Sequence, residues 1–185
     1  MRNRFFRRTL RLILVLFVIF LAGLALPEHL SMPVRGAGRG SYDQHSFWAY
    51  PWGESVTHKG VDIFARRGTP VEAATGGLVV YSGTNRLGGR VVLVLGPRWR
   101  THYYAHLDSI NVRSFSFVSR GRVLGTVGAT GNAAGKPAHL HYSIKTLVPY
   151  PWQNDKGRQG ARRMFYVNPV PLLNKAVRVR SIASR

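Results

Sequence analysis

The sequence has 185 residues, 45% of them hydrophobic and 18% charged, enough for one domain with a proper core plus a short extra segment. It contains no cysteine, which excludes a disulfide scaffold, a thiolate metal site and a cysteine nucleophile. Lysine and arginine number 27 against 7 acidic residues, a net charge of +20 that attracts polyanions. No basic helix, finger or RNA-recognition signature accompanies that charge, so nucleic acid is set aside; an anionic wall polymer or lipid headgroups suit it as well.

Five arginines (Arg2, Arg4, Arg7, Arg8, Arg11) precede the uncharged run Leu12 to Leu26. That order keeps the N-terminus in the cytoplasm and exports the chain beyond the run. The run is 15 residues, short of the roughly 20 a spanning helix needs, though Leu10 and a snorkelling Arg11 extend it. Gly23 and Ala25 offer small residues for cleavage after Ala25. Residues 1–27 are therefore read as a signal peptide or a cytoplasmic-membrane anchor, and the rest as working in the cell envelope. Residues 28–42, rich in Gly, Arg, Ser and Pro without periodicity, read as a linker, with His29 solvated.

Residues 43–171 form the folded domain. Short apolar pieces broken by glycine predict strands at Val56–Phe64, Pro70–Ala73, Gly77–Ser82, Arg90–Leu95, Thr101–Leu107 and Val123–Val127, and over Pro137–Ile144. No segment shows a 3.6-residue period, so the fold class is mainly β: a small antiparallel sheet, sandwich or barrel. Residues 172–185 read as a basic tail, mobile or lying on a surface.

The chemistry gathers on two stretches. His139 and His141 lie two apart on a predicted strand, so both rings face one side, roughly 6.6–7 Å apart along it. His58 and Asp62 lie four apart, on one strand face or brought together where Gly60 bends the chain. Three ligands of the His/carboxylate kind with a fourth position open suit a catalytic zinc. His58, Asp62 and one of His139 or His141 make such a set. No His-Glu-x-x-His helix motif is present, and Glu28, Glu54 and Glu72 are poorly placed as bases. General-base duty therefore falls to histidine: the unligated member of the pair, or His106. His102 shares a face with His106 if that strand is regular, and reads as a surface bystander.

His58-x-Gly60-x-Asp62, Tyr104-Ala105-His106-Leu107, and Thr130-Gly131-Asn132 followed by His139-Leu140-His141-Tyr142 resemble the lysostaphin/LytM-type zinc endopeptidases of the bacterial cell wall. The likeness runs from about Val56 to Ile144 and weakly on to Tyr166-Val167-Asn168-Pro169. It implies an antiparallel β domain with a groove over the sheet and one Zn2+, held by His58, Asp62 and His141. His106 and His139 become the catalytic histidines, acting on the attacking water and the developing oxyanion. The implied activity is hydrolysis of cross-links or stem peptides in peptidoglycan. A catalytically silent relative that binds wall or activates another hydrolase is the alternative. The sequence departs from the pattern at Ser143, where many members carry Glu. It also departs in the small-residue stretch Ala133 to Lys136 and in the aromatic, basic insertion 148–164. That insertion reads as a surface loop, or as a groove wall gripping substrate through Tyr150 and Trp152.

Overall fold

A computed structural model describes residues 2–183; Met1 and the last residues of the basic tail, Ser184 and Arg185, lie outside the described residues. In chain order the elements are α1 (Arg2–Ala25), β1 (Val61–Phe64), β2 (Pro70–Glu72), β3 (Gly77–Asn85), β4 (Gly89–Leu95) and β5 (Arg100–Ile110). After these come β6 (Phe117–Val118), β7 (Val123–Val127), β8 (His139–Thr146), α2 (Gly160–Arg163), β9 (Tyr166–Val167) and α3 (Pro169–Ala183). The nine strands form one antiparallel sheet in the order β1-β8-β5-β4-β3-β6, with β2 on β7, β7 also on β5, and β9 extending the β8 edge. The mainly β expectation holds, and α1 is the apolar helix that precedes it.

Strand β8 is the spine. Its even-numbered residues Leu140, Tyr142 and Ile144 are fully buried on one face. Its odd-numbered residues His139, His141, Ser143 and Lys145 line a groove on the other. β1 repeats the division, with Val61 and Ile63 buried and Asp62 and Phe64 in the groove. Below the sheet the core joins Val92, Val94, Tyr104 and Leu107 to Val71, Leu124 and Val127 of the β2–β7 layer. Each such aliphatic side chain contributes about 1.5–3 kcal/mol by leaving water.

Two segments depart from their sequence reading. Residues 28–42 are not a free linker: Met32, Val34 and Tyr42 are buried in the core. Val34 bridges Val71, and backbone bonds Glu72 N to Pro33 O (2.7 Å) and Ser31 N to Ala74 O (2.8 Å) tie the segment to β2 and the turn after it. Isolated anchors among Gly, Pro and Arg leave no periodic signal, which is why composition alone reads as linker. Nor is the region after Pro171 a loose tail. It belongs to α3, whose Val170 and Leu173 are buried and whose Val177 packs on the core. Asn168 caps this helix, its Oδ1 accepting from Val170 N–H at 3.0 Å, and Pro169 takes the first position. Asn174 Oδ1 accepts from Tyr42 O–H at 2.8 Å, joining the two segments.

Glu28, just beyond α1, is buried against Arg100 and His102. Arg100 donates to Glu28 Oε2 and, at 2.8 Å, to Tyr150 O–H. His102 is fully buried, not a surface bystander: its Nε2 stands 3.2 Å from Glu28 Oε1, and its Nδ1 bonds Tyr142 O–H at 2.7 Å. Burial works to raise the Glu28 pKa, but its bonds and charge interactions with His102 and Arg100 outweigh burial and lower it. The folded state therefore gains from this carboxylate above the ordinary carboxylate range, and loses that gain as pH falls through the lowered pKa. Removing one partner leaves the other charge buried and unpaired. In urea unfolding of the detergent-solubilised chain, Glu28→Gln is expected to cost about 3 kcal/mol or more at neutral pH. Asp108→Asn, which breaks the exposed Arg67–Asp108 pair, is expected to change the curve little.

Candidate metal centre

His58, Asp62 and His141 converge on one point. His58 Nε2 lies 3.0 Å from Asp62 Oδ1 and 3.1 Å from His141 Nδ1, and His141 Nδ1 lies 2.8 Å from the same Asp62 oxygen. Strand register and one close backbone approach produce this. β1 pairs with β8 so that Asp62 is directly opposite His141, and Ala105 of β5 lies opposite His141 on its other side. His58 precedes the strand. Gly60 carries it across β8 so closely that a Cβ there would stand 2.4 Å from the Tyr142 carbonyl oxygen and 3.0 Å from His141 Cε1. The bend at Gly60, rather than a shared strand face, is what brings His58 to Asp62.

His58 is held from behind. Its backbone N–H donates to Ala49 O (2.9 Å) and its carbonyl accepts from Trp48 N–H (2.6 Å). Its Nδ1–H donates to Ser46 O at 3.0 Å, and the Trp52 ring stacks on it at 4.0 Å. With the proton committed at Nδ1, the Nε2 lone pair points at a carboxylate oxygen that is also an acceptor. Two lone pairs at 3.0 Å repel unless a cation or a proton lies between them. The donor set, two imidazole nitrogens and one carboxylate oxygen, is the kind that suits zinc. Burial would raise the Asp62 pKa, but the imidazoles of His141 and His58 beside it hold it well below the usual carboxylate range. Burial lowers the pKa of His141 despite Asp62 beside it. Asp62 is thus the anion of the cluster.

Two further imidazoles border the cluster. His139 Nδ1–H donates to Pro137 O (2.8 Å), leaving Nε2 toward the groove, 3.9 Å from Asp62 Oδ2. His106 Nδ1–H donates to Thr130 O (2.8 Å), and its ring stands 5.0 Å from that of His139 and 6.0 Å from that of His141. Simple alternation along β5 would put His106 on the core face with His102 and Tyr104. His106 instead adopts φ +64°, at an irregularity in the pairing with β4, between Tyr104 opposite Val92 and Leu107 opposite Arg90. That left-handed residue turns its ring into the groove while His102 stays in the core. Burial pushes the His106 pKa down to about 4, with the positive potential of His141 second, so the ring is neutral at pH 7.

The same geometry accounts for the Thr130-Gly131-Asn132 turn. Thr130 Oγ1 accepts from Arg90 N–H and donates to Leu107 O, both at 3.0 Å. Gly131, at φ +66°, lies where a Cβ would meet Gly89 N at 2.3 Å. The turn is thereby locked against β4 and β5 with its Thr130 carbonyl aimed at His106.

The groove encloses about 900 Å³. Trp52, Tyr81, Tyr103 and Tyr166 wall it, and Phe64, Leu93 and Ser143 contribute to its surface. Tyr150 and Trp152 are not among its lining: they stack on each other at 5.0 Å, Tyr150 tied to Arg100, Trp152 exposed. The sequence reading misses the orienting carbonyls of Ser46, Thr130 and Pro137, which carry no side-chain signal. It also misses the wall aromatics, which have no fixed spacing from the histidines.

The sequence profile of Peptidase family M23 matches residues 56–156, more than half of the chain. The chain belongs to this family. Over 129 residues it is 36% identical to the L-Ala–D-Glu endopeptidase of Bacillus subtilis (strain 168), covering 64% of this chain and 38% of that protein. Lysostaphin of Staphylococcus simulans is 33% identical over 101 residues, 53% of this chain and 20% of lysostaphin. The chain thus spans between about a fifth and two fifths of the length of these curated relatives. Among solved structures, the catalytic domain of the antimicrobial peptidase lysostaphin from Staphylococcus simulans superposes with a TM-score of 0.57 at 26% identity, over 72% of this chain and 92% of that domain. A putative glycyl-glycine endopeptidase LytM from Ruminococcus gnavus gives 0.57 at 28% identity, over 74% and 53%.

Because the Gly60 site has backbone on one side and a donor ring on the other, an added methyl forces β1 and β8 apart. Gly60→Ala is expected to lower the unfolding midpoint and reduce metal uptake together. Gly38→Ala, at an extended position with nothing within 4 Å of an added Cβ, is expected to leave metal uptake unchanged. Unfolding midpoint and bound metal per chain check both.

Proposed function

We propose that this M23 chain is a zinc-dependent endopeptidase of the cell envelope, hydrolysing peptide bonds in peptidoglycan. The observation that carries the reading is the three-donor cluster of His58, Asp62 and His141, the last two lining a groove, with two further imidazoles beside it. Names of relatives support the substrate class: a further relative is the peptidoglycan DD-endopeptidase ShyC of Vibrio cholerae, 36% identical over half of this chain.

His58 Nε2, Asp62 Oδ1 and His141 Nδ1 would hold the zinc. When bound, zinc supplies Lewis-acid polarisation of the scissile carbonyl and a water acidified to a pKa of roughly 7. The groove orients an extended peptide across β8, and its aromatic walls exclude water. His106 and His139 have the same construction: Nδ1–H on a backbone carbonyl and Nε2 free. A ring so held accepts a proton only at Nε2, on the substrate side. Once protonated there it becomes a donor, able to bond the developing oxyanion and to return the proton to the leaving amine. The Arg-rich start and the apolar window Phe6–Ala25 of α1, a helix long and apolar enough to cross a membrane, support export, either as a signal sequence or as an anchor.

The test is to load the purified chain with zinc and incubate it with peptidoglycan sacculi. New amine termini are expected from wild type. His106→Ala and His139→Ala are expected to keep metal and lose activity about 10²–10⁴-fold, the usual worth of a positioned acid–base group. His141→Ala is expected to lose the metal itself. Zinc-loaded wild type that releases no amine termini would overturn the enzyme reading in favour of a silent wall-binding relative. Metal retained by His141→Ala would overturn the ligand assignment.

A further inference from the structure

At one end of the groove, beyond the metal cluster, three cations crowd together. Lys59 follows His58 in the chain, and Lys145 lies on β8 two groove-facing positions past His141; both line the groove. Arg162 lies on α2, whose N-cap residue Gln159 accepts from Thr57 O–H at 3.0 Å, two residues before Lys59. Aromatic rings hold the group in place. Lys59 Nζ sits 5.9 Å from the centroid of Trp48, Trp48 packs on Tyr166 at 5.6 Å, and Lys145 Nζ sits 5.5 Å from the Tyr166 ring. Lys59 also donates to the carbonyls of Ser55 (2.5 Å) and Thr57 (3.3 Å). These contacts position the cations but bring no countercharge.

The chain has seven acidic side chains, and each has another partner, Asp155 through Arg163, which lies over the same Trp48 ring at 5.9 Å. Asp62 is in the metal cluster, and Asp155 bonds Arg163 at 2.6 Å. Glu54 pairs with Arg86, Glu72 with Arg35, Asp108 with Arg67 and Glu28 with Arg100. Asp43 accepts from His45 N–H at 2.8 Å. Among the described residues, no carboxylate answers Lys59, Lys145 and Arg162. Placing three like charges beside a substrate groove is unfavourable until something anionic arrives.

We infer that this end of the groove is a subsite for a substrate carboxylate, so that the enzyme prefers peptides bearing a free acidic group to their amidated counterparts. The inference rests on the endopeptidase reading and narrows its substrate class. Two residues of strand advance roughly 6.6–7 Å, so Lys145 lies about 13–14 Å along β8 from His141. An extended peptide covers that in about four residues, fewer once the length of the lysine side chain is counted. The carboxylate recognised is therefore within a few residues of the cleaved bond, on one side of it.

The test uses zinc-loaded full chain and muropeptides released from sacculi, with their carboxylates free or converted to carboxamides. Wild type is expected to show a lower KM for the free acids, by about tenfold, as suits a hydrogen bond to a charged group. Lys145→Gln and Arg162→Gln are expected to raise KM for the free acids toward the amidated value, with kcat and metal content unchanged. Equal KM values for both forms, or equal loss on both in the variants, would overturn the inference while leaving the enzyme reading intact. Absence of cleavage with both forms would overturn the enzyme reading instead. In that case, calorimetric titration of wild type with the same two ligands decides the subsite: tighter binding of the free acids supports it, and equal binding removes it.

Discussion

The pleat of β8 is the constraint on which the rest depends. Alternate side chains of a strand must go to opposite faces. Leu140, Tyr142 and Ile144 can face the core only if His139, His141, Ser143 and Lys145 face the groove. The hydrophobic gain of the core face thereby fixes where the polar face looks. Neighbours β1 and β5 are bound by the same register, which brings Asp62 and Ala105 level with His141. A one-residue slip would send both histidines into the core and unpack three large side chains at once. The register of Asp62 against His141 in the proposed metal centre is thus secured by packing on the far side of the sheet.

What the pleat cannot supply, the backbone does. His58, His106 and His139 each commit Nδ1–H to a main-chain carbonyl, of Ser46, Thr130 and Pro137. The common device fixes both tautomer and ring plane, and leaves Nε2 as the reactive atom in all three. Only in His58 does that nitrogen face a carboxylate oxygen at bonding distance, with His141 opposite. The difference in proposed role, ligand or acid–base group, follows from what lies in front of equivalent rings.

Residues 28–42 and α3 show how a domain can extend past its evident strands. Val34 adds a bridge to β2, and Leu173 fills the core from the C-terminal side. Glu28 fixes the chain within a few residues of the end of α1, in a buried pair with Arg100. The apolar helix is therefore joined to the peptidase domain by a short packed segment rather than a flexible tether. Trp99 continues that contact, its indole N–H donating to Phe20 O at 2.8 Å and its ring stacked on Phe20.

The mainly β class, most strand positions and the five residues of the candidate site are legible in the sequence, because period-two patterning and the His-x-Gly-x-Asp and His-x-His spacings are local. Helix α3 is also within reach, since Val170, Leu173 and Val177 recur at helical spacing, but basic composition masks it. His102 and His106 are not separable by strand alternation: they are four apart on one strand, and the left-handed turn at His106 sends one to the core and the other to the groove. Such a reversal is decided by the fit of β5 against β4 and β7, which no local pattern records. The sequence by itself determined which side chains could do chemistry. The tertiary structure decided which of them meet and which nitrogen each offers, because those outcomes depend on register and close backbone approach.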